Sequence, residues 1–317
     1  MAREIVQWRQ DVPLGPLTAL QAGGAARQLA VASTADQLAE IAVLCQSSAE
    51  PLTTLGLGSN VLIADAGISG RVVINSARRI AVAKSGEVLA DTGCSFQDLF
   101  LKTLQSGLRG LEFAVGIPGS LGGALASNAG AYRSSVSEFL TELEVVHEGV
   151  RKWVKPDWMA FKYRDSRLRS HGGTDVVVLR VRMQMPAGPM WPGYEEAREY
   201  QRQRISKQPA PASAGSFFKN IHNSELAERL PALPVALKEK GIVPAGCVIE
   251  GAGMRGYRRG AASFGEKHAN FLLNLGGASA SELRSLAEFV KVRVFEAYGV
   301  RLEEEVLYLG DWSAFAA

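Results

Sequence analysis

Cysteine and histidine are scarce in this 317-residue chain, with three and four copies respectively. Cys45, Cys94 and Cys247 are odd in number and lie far apart, so neither a disulfide framework nor a closely spaced cysteine metal site is expected. His147, His171, His222 and His268 are equally scattered, and no HExxH-like pair occurs, which argues against a metal centre. An excess of one charge is also lacking. A formal net charge of +3 is too small to mark a nucleic-acid binder, although a local group of Arg and Lys would still serve a phosphorylated small molecule. No apolar run reaches membrane-spanning length, and Met1 to Pro13 holds no apolar stretch of signal-peptide length. A cytoplasmic protein without membrane insertion is therefore expected.

The chain does have the makings of a large core. A hydrophobic content of 47% beside 21% charged residues is that of a globular protein, and 317 residues exceed what one core comfortably organises, so two or three domains are expected. The periodicity predicts an amphipathic helix over Thr34 to Gln46, with Leu38, Ile41, Ala42 and Cys45 on one face, and another helix over Phe96 to Ser106. Apolar runs predict strands at Leu52–Leu55, Val72–Ile74, Val88–Ala90, Leu143–His147 and Val176–Met185. This irregular alternation indicates an α+β fold rather than a regular βαβ array. A charged helix from Glu195 to Lys207 breaks at Gln208-Pro209-Ala210-Pro211, a candidate boundary, because proline cannot continue a helix. Near the end, Ser279-Ala280-Ser281-Glu282 has the form of a capping box. Leu283, Leu286, Ala287, Val290 and Val294 then share a face, and Gly299 supplies the stop. Val300 to Leu309 reads as a closing strand containing the acids Glu303 to Glu305. In such a strand Glu303 and Glu305 would share one face.

Two glycine-rich loops stand out. Gly56-Leu57-Gly58-Ser59-Asn60 follows a strand, and its glycines would let backbone N–H groups approach phosphate oxygens. A nicotinamide-type Rossmann fingerprint would need a third glycine here and an acid about 20 residues on, and neither is present. The second loop, Gly116-Ile117-Pro118-Gly119-Ser120-Leu121-Gly122-Gly123, is followed by Asn128-Ala129-Gly130-Ala131-Tyr132. A long run of small residues leaves backbone exposed at an entropic cost unless something packs on it. Two readings stay open: close packing of two backbone segments, or a diphosphate and flat ring laid along the glycines.

These two loops resemble the FAD-binding segments of the UDP-N-acetylenolpyruvoylglucosamine reductase (UDP-N-acetylmuramate dehydrogenase) family. The resemblance continues in the family's order through Tyr163-Arg164-Asp165-Ser166, Gly215-Ser216-Phe217-Phe218-Lys219-Asn220, Lys267-His268-Ala269-Asn270-Phe271 and Leu302-Glu303-Glu304-Glu305-Val306, so it covers nearly the whole chain. It implies a vanillyl-alcohol-oxidase-like (PCMH-type) FAD-binding region in two parts, 1–70 and 71–194, and an α+β substrate domain over 195–317. FAD would be bound non-covalently by Gly56, Gly58, Ser59, Asn60, Gly116, Ile117, Pro118, Gly119, Ser120, Gly122, Gly123, Asn128, Ala129, Gly130 and Tyr132. NADPH would be the co-substrate, and the enolpyruvyl ether of UDP-N-acetylglucosamine would be reduced to UDP-N-acetylmuramate for peptidoglycan.

The resemblance gives the catalytic work to Arg164, Ser216 and Glu305. A serine hydroxyl is a very weak acid, useful only toward a strong base such as the enolate left when hydride adds to a conjugated double bond. In the family the matching serine is the proton donor. The matching arginine binds the substrate carboxylate, where a guanidinium fork suits two oxygens. The matching glutamate pairs with it and polarises the carboxylate. Substrate contacts are implied for Tyr163, Lys207, Asn220, His268 and Asn270, with His268 lining or structural rather than catalytic. Read by themselves, Ser216 is a turn residue, Arg164 a surface ion-pair partner and Glu305 part of a solvated edge. Two features depart from the family pattern: Ile221 stands where proline often follows the serine motif, and the tyrosine-bearing insertion of the longer class is missing, as in the shorter, second class. Two other functions stay open: an alcohol or lactone oxidase of the same flavin fold, and a non-catalytic nucleotide-sugar binder. Covalent flavin attachment, common in the former, needs a His or Cys that neither glycine-rich loop contains.

Overall fold

A computed structural model describes residues 6–170 and 175–315; His171 lies outside the described residues. The chain divides into two compact units. The first comprises 1–12, 26–59 and 68–206, and the second 13–25, 60–67 and 207–317.

The first unit carries two sheets. One has the order Arg9–Pro13, Ala25–Ala32, Ile68–Asn75, Leu52–Leu55, with the last two strands parallel to each other and Ile68–Asn75 parallel to Ala25–Ala32. The other is antiparallel, with the order Val150–Val154, Leu140–His147, Val176–Gln184, Glu87–Asp91, Ile80–Val82. The Ala35–Ser47 helix begins where its sequence dictates: Thr34 is the N-cap, accepting from the Gln37 N–H at 3.1 Å, which is worth about 1 kcal/mol. Leu38, Ile41, Ala42 and Cys45 are buried as their spacing predicts. The cluster they join takes Leu52 and Val73 from one sheet and Val146, Val177 and Leu179 from the other. A second cluster wraps the Phe96–Gln105 helix, with Phe96 edge-on to Phe113.

The glycine-rich stretch is more regular than its composition indicates. Leu121–Ala126 is a short helix capped by Ser120, so Gly122 and Gly123 sit in helical backbone. Apolar Leu121, Ala124 and Leu125 are buried there, which outweighs the glycines' poor helix propensity.

In the second unit, the Ala280–Tyr298 helix has the capping box at Ser279 and Glu282 and ends at Gly299 in the left-handed conformation. Its expected face is buried with Phe217, Phe218 and Phe264 in one core. A four-stranded sheet runs in the order Ala212–Ser216, Phe271–Asn274, Ala262–Phe264, Arg258–Arg259. The closing strand is shorter than expected. Only Leu307–Leu309 is regular, parallel to Val61–Ile63, and the acids precede it in a bend with a single bridge between Glu304 and Phe218. Glu303 and Glu305 therefore do not share a strand face. Leu302 and Val306 are both buried, and that anchoring bends the chain between them.

Candidate active site

In the first unit the two glycine-rich loops interlock. A Cβ on Gly56 would collide with the Ser120 hydroxyl, and a Cβ on Gly119 (φ +126°) would stand 2.6 Å from Ser59 Oγ. Each loop thus offers a glycine to the other's serine, which is the close packing of two backbone segments. Ser120 is 4% exposed and accepts from the Gly123 N–H at 3.2 Å; the Gly122 N–H donates to Thr92 O at 2.7 Å. The Gly116 N–H donates to Gln97 Oε1 at 3.1 Å, and Gly116 itself is exposed.

Asn128 sits in left-handed backbone and donates its Nδ2 to Lys162 O at 3.1 Å, while its Oδ1 is buried with no donor from the protein. A buried acceptor left this way is costly, so the site fits a ligand carrying N–H or O–H donors, as FAD does. Arg164 occupies the turn between Lys162 and Asp165 at φ +52°, a conformation that costs a non-glycine residue about 1–3 kcal/mol. Its Nη2 donates to the Gly130 carbonyl at 2.7 Å, and its guanidinium lies over the Tyr163 ring, itself 46% exposed. The sequence-predicted arginine is thereby tied to the Asn128–Tyr132 segment. Tyr132 stacks on Tyr200 at 3.6 Å between centroids, and the hydrogen bond to Glu196 holds the Tyr200 hydroxyl up at about 12.

Sequence reasoning passed over Arg204. It donates to Phe113 O at 3.2 Å, lies over Tyr132, and has no ion pair with an acid among the described residues. Burial, followed by the charge of Arg164, holds its pKa below the usual value. Its position one turn before Lys207 in a highly charged helix was the signal, and the surrounding charges hid it.

In the second unit, Ser216 ends the Ala212–Ser216 strand opposite Phe271, after a register shift that Gly215 permits at φ +79°. The next residues run antiparallel to the acidic segment: the Glu305 N–H donates to Phe217 O and the Lys219 N–H to Glu303 O, each at 2.8 Å. Ser216 and Glu305 are thus brought onto adjoining chain segments. The Asn60 side chain is turned to Glu305, donating to its carbonyl at 3.0 Å. Asn270 is 3% exposed and spends its carboxamide on the backbone of Phe218. His268 Nδ1 accepts from the Asn270 N–H at 3.2 Å; burial, then the charge of Lys207, lowers its pKa and favours the neutral ring. Lys207 and Asn220 are exposed, and Asn220 Oδ1 accepts from the Ala245 N–H at 3.3 Å. Arg164 belongs to the first unit, and Ser216 and Glu305 to the second. Among the described residues, no group of three or more His, Cys, Asp or Glu could hold a metal ion, and no helix is long and apolar enough to cross a membrane.

Residues 26–149 match an FAD binding domain, which makes the chain an FAD-binding flavoprotein of the α+β class. Residues 206–309 match the C-terminal domain of UDP-N-acetylenolpyruvoylglucosamine reductase. A reductase of that name from Caldicellulosiruptor saccharolyticus is 35% identical over 97% of this chain and 93% of its own length, and one from Rubrobacter xylanophilus is 36% identical over 95% of both. The crystal structure of the Thermus caldophilus UDP-N-acetylenolpyruvylglucosamine reductase superposes with a TM-score of 0.75 at 29% identity, covering 96% of this chain and 99% of that one. The chain belongs to the UDP-N-acetylenolpyruvoylglucosamine reductase family.

Proposed function

We propose that the protein reduces the enolpyruvyl ether of UDP-N-acetylglucosamine to UDP-N-acetylmuramate, with NADPH as the source of reducing equivalents. Bound FAD supplies the hydride. The carboxyl-bearing double bond that accepts it becomes an enolate, and the chain's own residues deal with that charge. Arg164 takes the substrate carboxylate. Its remaining freedom is already reduced by the Gly130 carbonyl and the Tyr163 ring, so little order has to be imposed on binding. Ser216 Oγ gives its proton to the α-carbon, and the Glu305 carboxyl stabilises the enolate.

The observation that carries this reading is the hydrogen bond from the Glu305 N–H to the carbonyl of Phe217, the residue after Ser216, which fixes the proton donor's strand against the acid's segment. Tyr163, Lys207, Asn220 and His268 are assigned to substrate contacts, with Asn270 as support. We assign FAD binding to 1–70 and 71–194 and substrate binding to 195–317, the short segments 13–25 and 60–67 folding with the latter. Three free cysteines support a cytoplasmic location.

The test is to mix protein, NADPH and the enolpyruvyl UDP-sugar while following nicotinamide absorbance. Oxidation that depends on the sugar supports the reading. Oxidation at the same rate without the sugar would overturn it, and flavin reduction by a simple alcohol or lactol without NADPH, followed by reoxidation by oxygen, would assign the chain to the oxidases instead.

A further inference from the structure

Asn60 closes a glycine-rich loop, but the structure gives it a different task. Its Nδ2 donates to the Glu305 carbonyl at 3.0 Å, and its own carbonyl accepts from the Leu307 N–H at 3.1 Å. These two bonds grip the chain on either side of Val306, which is 2% exposed. On the other side, the Glu305 N–H is held by Phe217 O. Glu305 is therefore held on both sides of its Cα, its N–H by the residue after Ser216 and its carbonyl by the side chain of Asn60. Regular pairing with Val61–Ile63 begins only at Leu307; before it the chain pairs with the serine segment through the single Glu304–Phe218 bridge, and the Asn60 side chain is the hold on the Glu305 carbonyl from the Val61–Ile63 side.

The donor has to be an amide on a short arm. An aspartate of the same size would set a carboxylate against a carbonyl lone pair. Ser59, whose hydroxyl faces Gly119, is the preceding residue, so the loop that meets the cofactor segment and the grip on the acid are consecutive in the chain.

We infer that Asn60 is a positioning residue for the Glu305 carboxyl group, acting through the Glu305 backbone carbonyl; this rests on the reading of Glu305 as catalytic. The experiment measures both half-reactions of the FAD-loaded enzyme by stopped flow. One is flavin reduction by NADPH, the other flavin reoxidation by the enolpyruvyl UDP-sugar. The readout is the ratio of the second rate to the first. In Asn60→Asp that ratio falls on the order of 10²-fold, the scale expected for a small misplacement of a catalytic group. Asn60→Gln, which keeps the donor on a longer arm, recovers part of it. In a Glu305→Gln background, Asn60→Asp adds less than about threefold, because the carboxyl group it positions is already gone. Amide exchange at Glu305 and Leu307 quickens in Asn60→Asp with or without FAD.

An unchanged ratio in Asn60→Asp overturns the inference, as does a full additional loss in the Glu305→Gln background. Weakened FAD affinity with an unchanged ratio overturns it too and makes Asn60 a cofactor contact alone. A wild-type ratio in Glu305→Gln by itself would instead remove the catalytic reading on which the inference stands. If Asn60→Asp does not fold, Asn60→Ser goes through the same comparison.

Discussion

Asn270 pairs with the backbone of Phe218 as a neighbouring strand would: its Oδ1 accepts from the Phe218 N–H at 3.0 Å and its Nδ2 donates to the Phe218 carbonyl at 2.8 Å. The Asn270 carbonyl also accepts from the Phe217 N–H at 2.7 Å. One buried amide thus holds the segment that links Ser216 to the acids. Asn270→Ala leaves two buried backbone groups without partners and should destabilise the protein by about 2–4 kcal/mol. The check is chemical denaturation, with an unchanged midpoint counting against this role.

Ser216→Ala should leave flavin reduction by NADPH near the wild-type rate and slow reduction of the enolpyruvyl sugar by orders of magnitude. The two half-reactions can be followed separately by stopped flow. A parallel fall in both would make Ser216 a structural residue.

Arg164→Lys keeps a positive charge but loses the fork that can hold the Gly130 carbonyl and a carboxylate together. Sugar reduction should fall on the order of 10²-fold or more in Arg164→Lys and further in Arg164→Ala. Steady-state kinetics at saturating NADPH reads this. Normal turnover in Arg164→Ala would take the residue out of the mechanism.

His268 has a pKa below its usual 6.5, chiefly because it is buried and then because of Lys207. Its neutral ring is favoured in the folded state, and the unfolded chain binds the proton more readily. The contribution is therefore complete above 6.5 and is lost as pH falls through the folded pKa beneath it. His268→Gln should give a shallower decline of unfolding midpoint with acid in that window. Parallel curves for the two proteins would contradict it.

Much of the secondary structure was legible because its causes are local. Thr34, Ser279 with Glu282, and Gly299 each act on backbone groups within one turn, and the helices start and stop at them. The Leu52–Leu55 strand and the buried stripe from Leu283 to Val294 follow from periodicity alone. The six motifs carry, in chain order, the candidate site residues.

The sequence could not say which of those residues meet. The bend at Glu305 comes from burying Leu302 and Val306 in a core assembled largely from residues far off in sequence, so strand alternation misplaced the acids. The side chains of Asn60 and Asn270 are each hydrogen-bonded to a backbone more than 50 residues away, a pairing that no local pattern encodes. Arg204 is one charge among many in its helix, and only the fold half-buries it beside Tyr132. Local pattern determined the elements and the candidates for chemistry. The tertiary structure decided their hydrogen-bond partners, because a partner distant in sequence leaves no periodic trace in it.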